Sequence, residues 1–203
     1  MVSIFSAKLH SVQDFSVNLG YINGSLSKDN QKFIIDFCSA LNVEIYFKEF
    51  DFDYQVKTSN LPIQAYIRLL WLDTSSEPFL WLDADTLALE NWQEIYRDLN
   101  LENTGIVLCA ALDTDVIAKK IRLFPNNSAY LMGGNSYFNS GIFLGFPKNW
   151  REKEFHRQWP DIASRHAELG FEHHDQDVLN YLAFESKKII DASFNTLVMQ
   201  GSL

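Results

Sequence analysis

The segment Pro78-Phe79-Leu80-Trp81-Leu82-Asp83-Ala84-Asp85 constrains this chain more than any other. Four consecutive apolar residues without alternation describe a strand covered on both faces, as in a parallel sheet flanked by helices. The run stops in two aspartates. If the strand continues through them, period-two geometry sends Asp83 and Asp85 to the same side. In an open α/β sheet, ligands bind beyond the carboxyl ends of the strands. Two carboxylates there suit a hard divalent cation, Mg²⁺ or Mn²⁺, bridging to phosphate oxygens. The plain alternative is a solvated turn that closes a strand.

The rest of the chain alternates in the same way. Residues 2–9 read as a short helix, and 15–21 as a half-buried strand on Phe15, Val17, Leu19 and Tyr21. Ser27 is placed to cap a helix over 28–41, with Phe33, Ile34, Phe37, Cys38 and Leu41 as its apolar face. Val43, Ile45 and Phe47 mark a second strand, and Pro62 the first turn of a helix to about Trp71. A short helix over 91–99 precedes a continuous apolar strand over 106–112. Residues 113–135 form a long polar insertion, a kind of loop that is usually functional. Strand 137–146, helix 150–168, a helix 176–184 capped by Asp175, and strand 188–190 complete the pattern. The expectation is a single α/β domain over 1–203 with a mixed, mostly parallel sheet in which 79–82 and 106–112 are central.

Composition narrows the partners. The 203 residues carry 17 Lys+Arg against 26 Asp+Glu, a net charge of −9. Such a chain lacks the basic face of a sequence-independent nucleic-acid binder, and its acidity suits anionic ligands held through a metal ion. Cys38 and Cys109 sit in apolar surroundings and read as buried free thiols of a reducing compartment. No apolar run approaches the ~20 residues that span a bilayer, and no basic region precedes the apolar start. The expected location is cytoplasmic, with peripheral membrane association compatible.

Two more segments carry chemistry. Tyr137-Phe138-Asn139-Ser140-Gly141-Ile142-Phe143-Leu144 breaks a buried strand with a polar triplet, which is either a β-bulge or a place where Gly lets backbone approach a ligand closely. His173-His174-Asp175-Gln176-Asp177-Val178-Leu179-Asn180 opens a helix. There Asp175 reads as an N-cap, and the adjacent histidines do not face one way as metal ligands would.

With Ala65-Tyr66-Ile67-Arg68-Leu69-Leu70, these segments, in this order, resemble glycosyltransferase family 8, retaining enzymes with a GT-A fold. The resemblance covers residues 2–198. It implies that Asp83 and Asp85, around Ala84, hold Mn²⁺ (or Mg²⁺) and through it the diphosphate of a UDP-sugar. It implies further that Arg68, Asn139, Ser140 and Gly141 line the donor site. Asp175 would bind sugar hydroxyls, Gln176 would face the anomeric centre, and Asp113 would fall at a sugar-contacting carboxylate. The activity implied is hexosyl transfer to a glycan or lipid-linked acceptor. Gln176 is a poor nucleophile, which favours front-face substitution over a covalent intermediate. Family members also begin with a nucleoside-binding strand and carry a His-x-x-Gly-x-x-Lys-Pro-Trp stretch near the end. Neither has a counterpart here, so the expectation is a domain incomplete at both ends.

Two other readings compete. A haloacid-dehalogenase-type phosphatase also opens on an apolar strand and Asp-x-Asp, but that motif takes Thr or Val where this chain has Leu87, and it lies near the N-terminus. A non-catalytic GT-A remnant that binds nucleotide or carbohydrate is the third reading.

Overall fold

The computed structural model describes residues 1–51, 63–113 and 136–196. Helix α1 (Val2–Leu9) buries its small residues, Ser3, Ser6 and Ala7, and leaves Val2, Phe5 and Leu9 exposed. It leads to β1 (Ser16–Ile22), α2 (Lys28–Ala40) and β2 (Glu44–Phe50). Ser27 caps α2 as expected, its hydroxyl accepting from the Asn30 N–H at 3.2 Å. On the predicted apolar face of α2, Cys38 is buried, whereas Phe33 is exposed. β1 and β2 pair in parallel as a two-stranded sheet.

A 3₁₀ turn (Ile63–Tyr66) leads into α3 (Ile67–Thr74); Pro62, expected in the first turn, lies outside the described residues. α3 is buried along most of its length because it bridges the two sheets. Trp71 meets Phe50 of β2 at 5.6 Å and Phe79 of the next strand at 6.4 Å, centroid to centroid. That strand, β3 (Phe79–Leu82), belongs to a four-stranded sheet with β4 (Leu108–Leu112), β5 (Phe138–Gly145) and β6 (Lys187–Ile190), in the order β3-β5-β4-β6.

The sheet is mixed, but the expectation of mostly parallel pairing does not hold for it. β4–β6 is parallel, while β3–β5 and β4–β5 are antiparallel. Chain direction explains this. β4 ends at Leu112 and β5 begins at the same end of the sheet, where the Asp113 N–H bonds the Tyr137 carbonyl at 2.9 Å. β5 therefore has to run back along β4. The second correction concerns β3, which is an edge strand among the described residues, with all four residues half-buried. β4 is central as expected, and Val107 to Ala111 are fully buried.

Two helices also depart from expectation. The segment read as helix 91–99 is a 3₁₀ stretch, Trp92–Asn103. The segment read as helix 150–168 is two helices, α4 (Pro147–Glu152) and α5 (Phe155–Ser164), broken at Glu154, whose φ is 58°. Pro147 starts α4 early because a first-turn proline has no donor to lose. Helix α6 (His174–Leu182) packs on β5. The core lies between the four-stranded sheet and α3, α5 and α6, and includes Leu69, Leu72, Phe138, Phe143, Trp159, Val178 and Leu179.

Candidate active site

At the end of the sheet where β3 stops, β5 starts and α6 begins lies a polar cleft of about 380 Å³. α3 contributes Arg68, the end of β3 contributes Asp83, β5 contributes Asn139, Ser140 and Gly141, and α6 contributes Asp175 and Gln176. Sequence reasoning named all seven, and the tertiary structure brings them to one place.

Arg68 organises the cleft. One guanidinium nitrogen donates to the Ser140 carbonyl at 2.6 Å and to its hydroxyl at 2.8 Å. The other donates to Asp83 Oδ1 at 3.0 Å and Oδ2 at 3.3 Å. Nε lies 3.0 Å from Asp175 Oδ2. The planar fork of arginine allows this three-sided engagement, which a lysine would not reproduce. Trp81 supports it, with its ring 5.3 Å from the guanidinium carbon and its indole N–H donating to Asp83 Oδ1 at 2.8 Å.

The strand does not continue through Asp83 and Asp85 as the period-two reading requires. The strand ends at Leu82, and residues 83–86 form a turn closed by Thr86 N–H to the Asp83 carbonyl at 3.1 Å. Asp83 faces the cleft, whereas Asp85 and Ala84 are exposed. The donor set is all oxygen, which fits a hard cation. Among the described residues, no group of three or more His, Cys, Asp or Glu converges as a metal site. The carboxylate at the cleft is Asp83, which Arg68 and Trp81 hold in place. Gly141 makes room for this arrangement, since a Cβ there would come within 3.3 Å of Asp83 Oδ2 and 3.0 Å of Asn139 Oδ1.

Asp175 is not the N-cap of α6. That position is His173, and Asp175, on the first turn, points to Arg68 and to the Ser140 hydroxyl, which donates to it at 3.2 Å. Burial pushes its carboxyl up to about 6, against the lowering effect of Arg68 and Ser140. Gln176 is 8% exposed, and protein groups hold its amide. Its Oε1 accepts from the Ser140 N–H at 3.0 Å, and its Nε2 donates to Asp113 Oδ2 at 3.1 Å. Asp113, buried at the end of β4, also accepts from Asn139 Nδ2 at 3.2 Å. Asp113 thus falls into the same network. Of the polar insertion read over 113–135, residues 114–135 lie outside the described residues.

Sequence reasoning missed Tyr137, Asp177 and Asn180 as site residues. Asn180 bonds both backbone groups of Phe138 and the Gln176 carbonyl, each at 2.9 Å. The available signal was a polar stripe at 173, 176, 177 and 180 on a helix whose other face is apolar. His174 has a φ of 34°, and its imidazole, 5.5 Å from that of His166, is lowered in pKa chiefly by burial.

This architecture is that of the GT-A glycosyltransferases. The galactosyltransferase LgtC, solved with donor and acceptor sugar analogues, superposes with a TM-score of 0.69 at 18% identity, over 94% of this chain and 68% of that one. The apo form of mouse xyloside xylosyltransferase 1 superposes with a TM-score of 0.65 at 14% identity, over 94% of this chain and 78% of that one. The chain belongs to glycosyl transferase family 8, whose model matches residues 1–202. A Haemophilus influenzae protein assigned as a glycosyltransferase is 27% identical over 204 residues, 96% of this chain and 58% of its own length. General stress protein A of Bacillus subtilis is 26% identical over 181 residues, 85% of this chain and 60% of its own. The chain thus spans about three fifths of the curated relatives it matches. Family membership replaces the phosphatase alternative. Among the described residues, no helix is long and apolar enough to cross a membrane.

Proposed function

We propose that the chain, as a single domain over 1–203, transfers a hexose with retention from a UDP-sugar to a glycan or lipid-linked saccharide. The observation that carries this reading is the Arg68 guanidinium shared by Asp83, Ser140 and Asp175 in a polar cleft at the strand ends. Asp83 and Asp85 would hold Mn²⁺ or Mg²⁺, which when bound neutralises the charge developing on a leaving diphosphate. Arg68, Ala84, Asn139, Ser140 and Gly141 would form the donor side of the cleft. Asp113, Asp175 and Gln176 would surround the sugar, where their oxygens favour an oxocarbenium-like carbon.

In this reading the bond from the anomeric carbon to the diphosphate oxygen breaks as the acceptor oxygen bonds on the same face, and the acceptor proton passes to the diphosphate. The engagement of both ends of the Gln176 amide supports front-face substitution, because it leaves Gln176 poorly placed as a nucleophile.

Calorimetry of UDP with and without Mn²⁺, paired with UDP release from UDP-galactose and UDP-glucose, tests the reading. Binding should depend on Mn²⁺, and Asp85→Asn should weaken it while changing stability by less than about 0.5 kcal/mol, since Asp85 is exposed. Equal affinity with and without Mn²⁺ would remove the metal role. A thermal shift with UDP but no UDP release would establish the non-catalytic remnant instead.

A further inference from the structure

Asp177 has no part in the reading above, yet it is fully buried. Its Oδ2 accepts from the backbone N–H of Glu172 at 2.8 Å and of His173 at 2.7 Å, reaching back over the first turn of α6 as a capping carboxylate does. Its Oδ1 accepts from the Tyr137 hydroxyl at 2.7 Å. The Tyr137 hydroxyl is the donor of that bond, so its proton points at Asp177. The hydroxyl lone pairs are thereby turned to Gln176 Nε2, 3.2 Å away. The remaining partners of the amide agree with that polarity. The Ser140 N–H can only donate, and it meets Oε1; the Asp113 carboxylate meets Nε2.

We propose that Asp177, acting through the Tyr137 hydroxyl, is a positioning residue that fixes the direction in which Gln176 presents its side-chain amide to a bound sugar. The catalytic part rests on the reading of Gln176 as lying beside the donor sugar; the hydrogen-bond relay does not. Helix capping alone accounts for the backbone bonds of Asp177, but it places no demand on Tyr137 or Gln176.

Asp177→Asn separates the two roles. Its amide oxygen can still serve the two backbone N–H groups, while its NH₂ meets Tyr137. The hydroxyl must then accept from that NH₂ and turn its proton toward Gln176 Nε2, donor against donor. Tyr137→Phe removes the relay and leaves the capping bonds in place.

The experiment reads both variants and their combination in two ways. One is the ¹H–¹⁵N spectrum of the glutamine side-chain amides, with Gln176 assigned by its loss in Gln176→Glu. The other is steady-state turnover of UDP-galactose and UDP-glucose, with kcat and KM separated. Asp177→Asn should move the Gln176 resonances and lower kcat about tenfold or more, with donor KM changed by less than about threefold. Tyr137→Phe should move the resonances less, and adding Asp177→Asn to it should bring no further loss, because no hydroxyl proton is left to misdirect. Unmoved Gln176 resonances in either folded variant would overturn the relay. Moved resonances with unchanged kcat, or a double variant losing the product of the single losses, would overturn the positioning role. If Asp177→Asn does not fold, Tyr137→Phe decides by the same two readouts. A wild-type chain without turnover would sink the sugar-transfer reading and with it the positioning role, leaving the relay to be decided by the Gln176 resonances.

Discussion

At Asp175, burial and charge pull in opposite directions. Burial raises its carboxyl to about 6, and Arg68 is the largest influence holding it down. The guanidinium is shared with Asp83, so it compensates Asp175 only in part. Between the ordinary carboxylate value of about 4 and the folded value, the native state binds more protons than the unfolded chain. Stability contributed by this residue is therefore present at the acidic end of that window and falls as pH rises through it. Function should run the other way, because protonating Asp175 releases its hold on Arg68. A carboxyl ¹³C titration should place Asp175 near pH 6, and Arg68→Met should move it higher. A midpoint in the usual carboxylate range, or a downward move in Arg68→Met, would count against this account.

At the scale of elements, α3 ties α4 and α5 to the two sheets. Its C-terminal Asp73 accepts from the indole N–H of Trp150 on α4 at 2.7 Å and of Trp159 on α5 at 2.8 Å. Arg151 donates to the carbonyls of Leu72, Asp73 and Ser75, closing the same helix end. Burial raises the Asp73 carboxyl, and the two indoles lower it. Asp73→Ala would strand two indole donors in the core, so a loss of about 2–4 kcal/mol is expected by denaturant unfolding. Because α3 also carries Arg68, donor affinity should fall in the same variant. Asp73→Asn, which keeps one acceptor oxygen, should lose less. Equal losses in the two variants would show that the retained oxygen and volume contribute nothing and that the carboxylate charge sets the cost.

Across the whole molecule the excess of nine negative charges acts against an anionic ligand and for a cation. Raising ionic strength from ~0.01 M to ~0.15 M shortens the screening length from ~30 Å to ~8 Å. Metal-free UDP binding should therefore strengthen with salt, and Mn²⁺ binding by the protein alone should weaken. Parallel calorimetric titrations read both slopes, and slopes of the same sign would show that the local charges of the cleft outweigh the field of the chain.

Most of the secondary structure was legible because its causes are local. Ser27 bonds a donor three residues away, and the unbroken apolar run of β4 needs only burial on both faces. The seven cleft residues were also legible, though as a resemblance of four separated segments rather than from any one of them. What the chain alone did not determine is how distant parts meet. The direction of β5 depends on where the chain re-enters the sheet after Asp113, and the edge position of β3 depends on which strands pair with it. The roles of Asp83 and Asp175 were read from neighbours in sequence, as a metal pair and as a helix cap. Both carboxylates also face Arg68, 15 residues from Asp83 in the chain, a contact that no local pattern announces. Asp177 and Tyr137 are 40 residues apart, and no local pattern links them. Element type follows from periodicity and capping over a few residues; strand order, charge pairing and the polarity of a hydrogen-bond relay arise only when packing brings remote residues within 3 Å of one another.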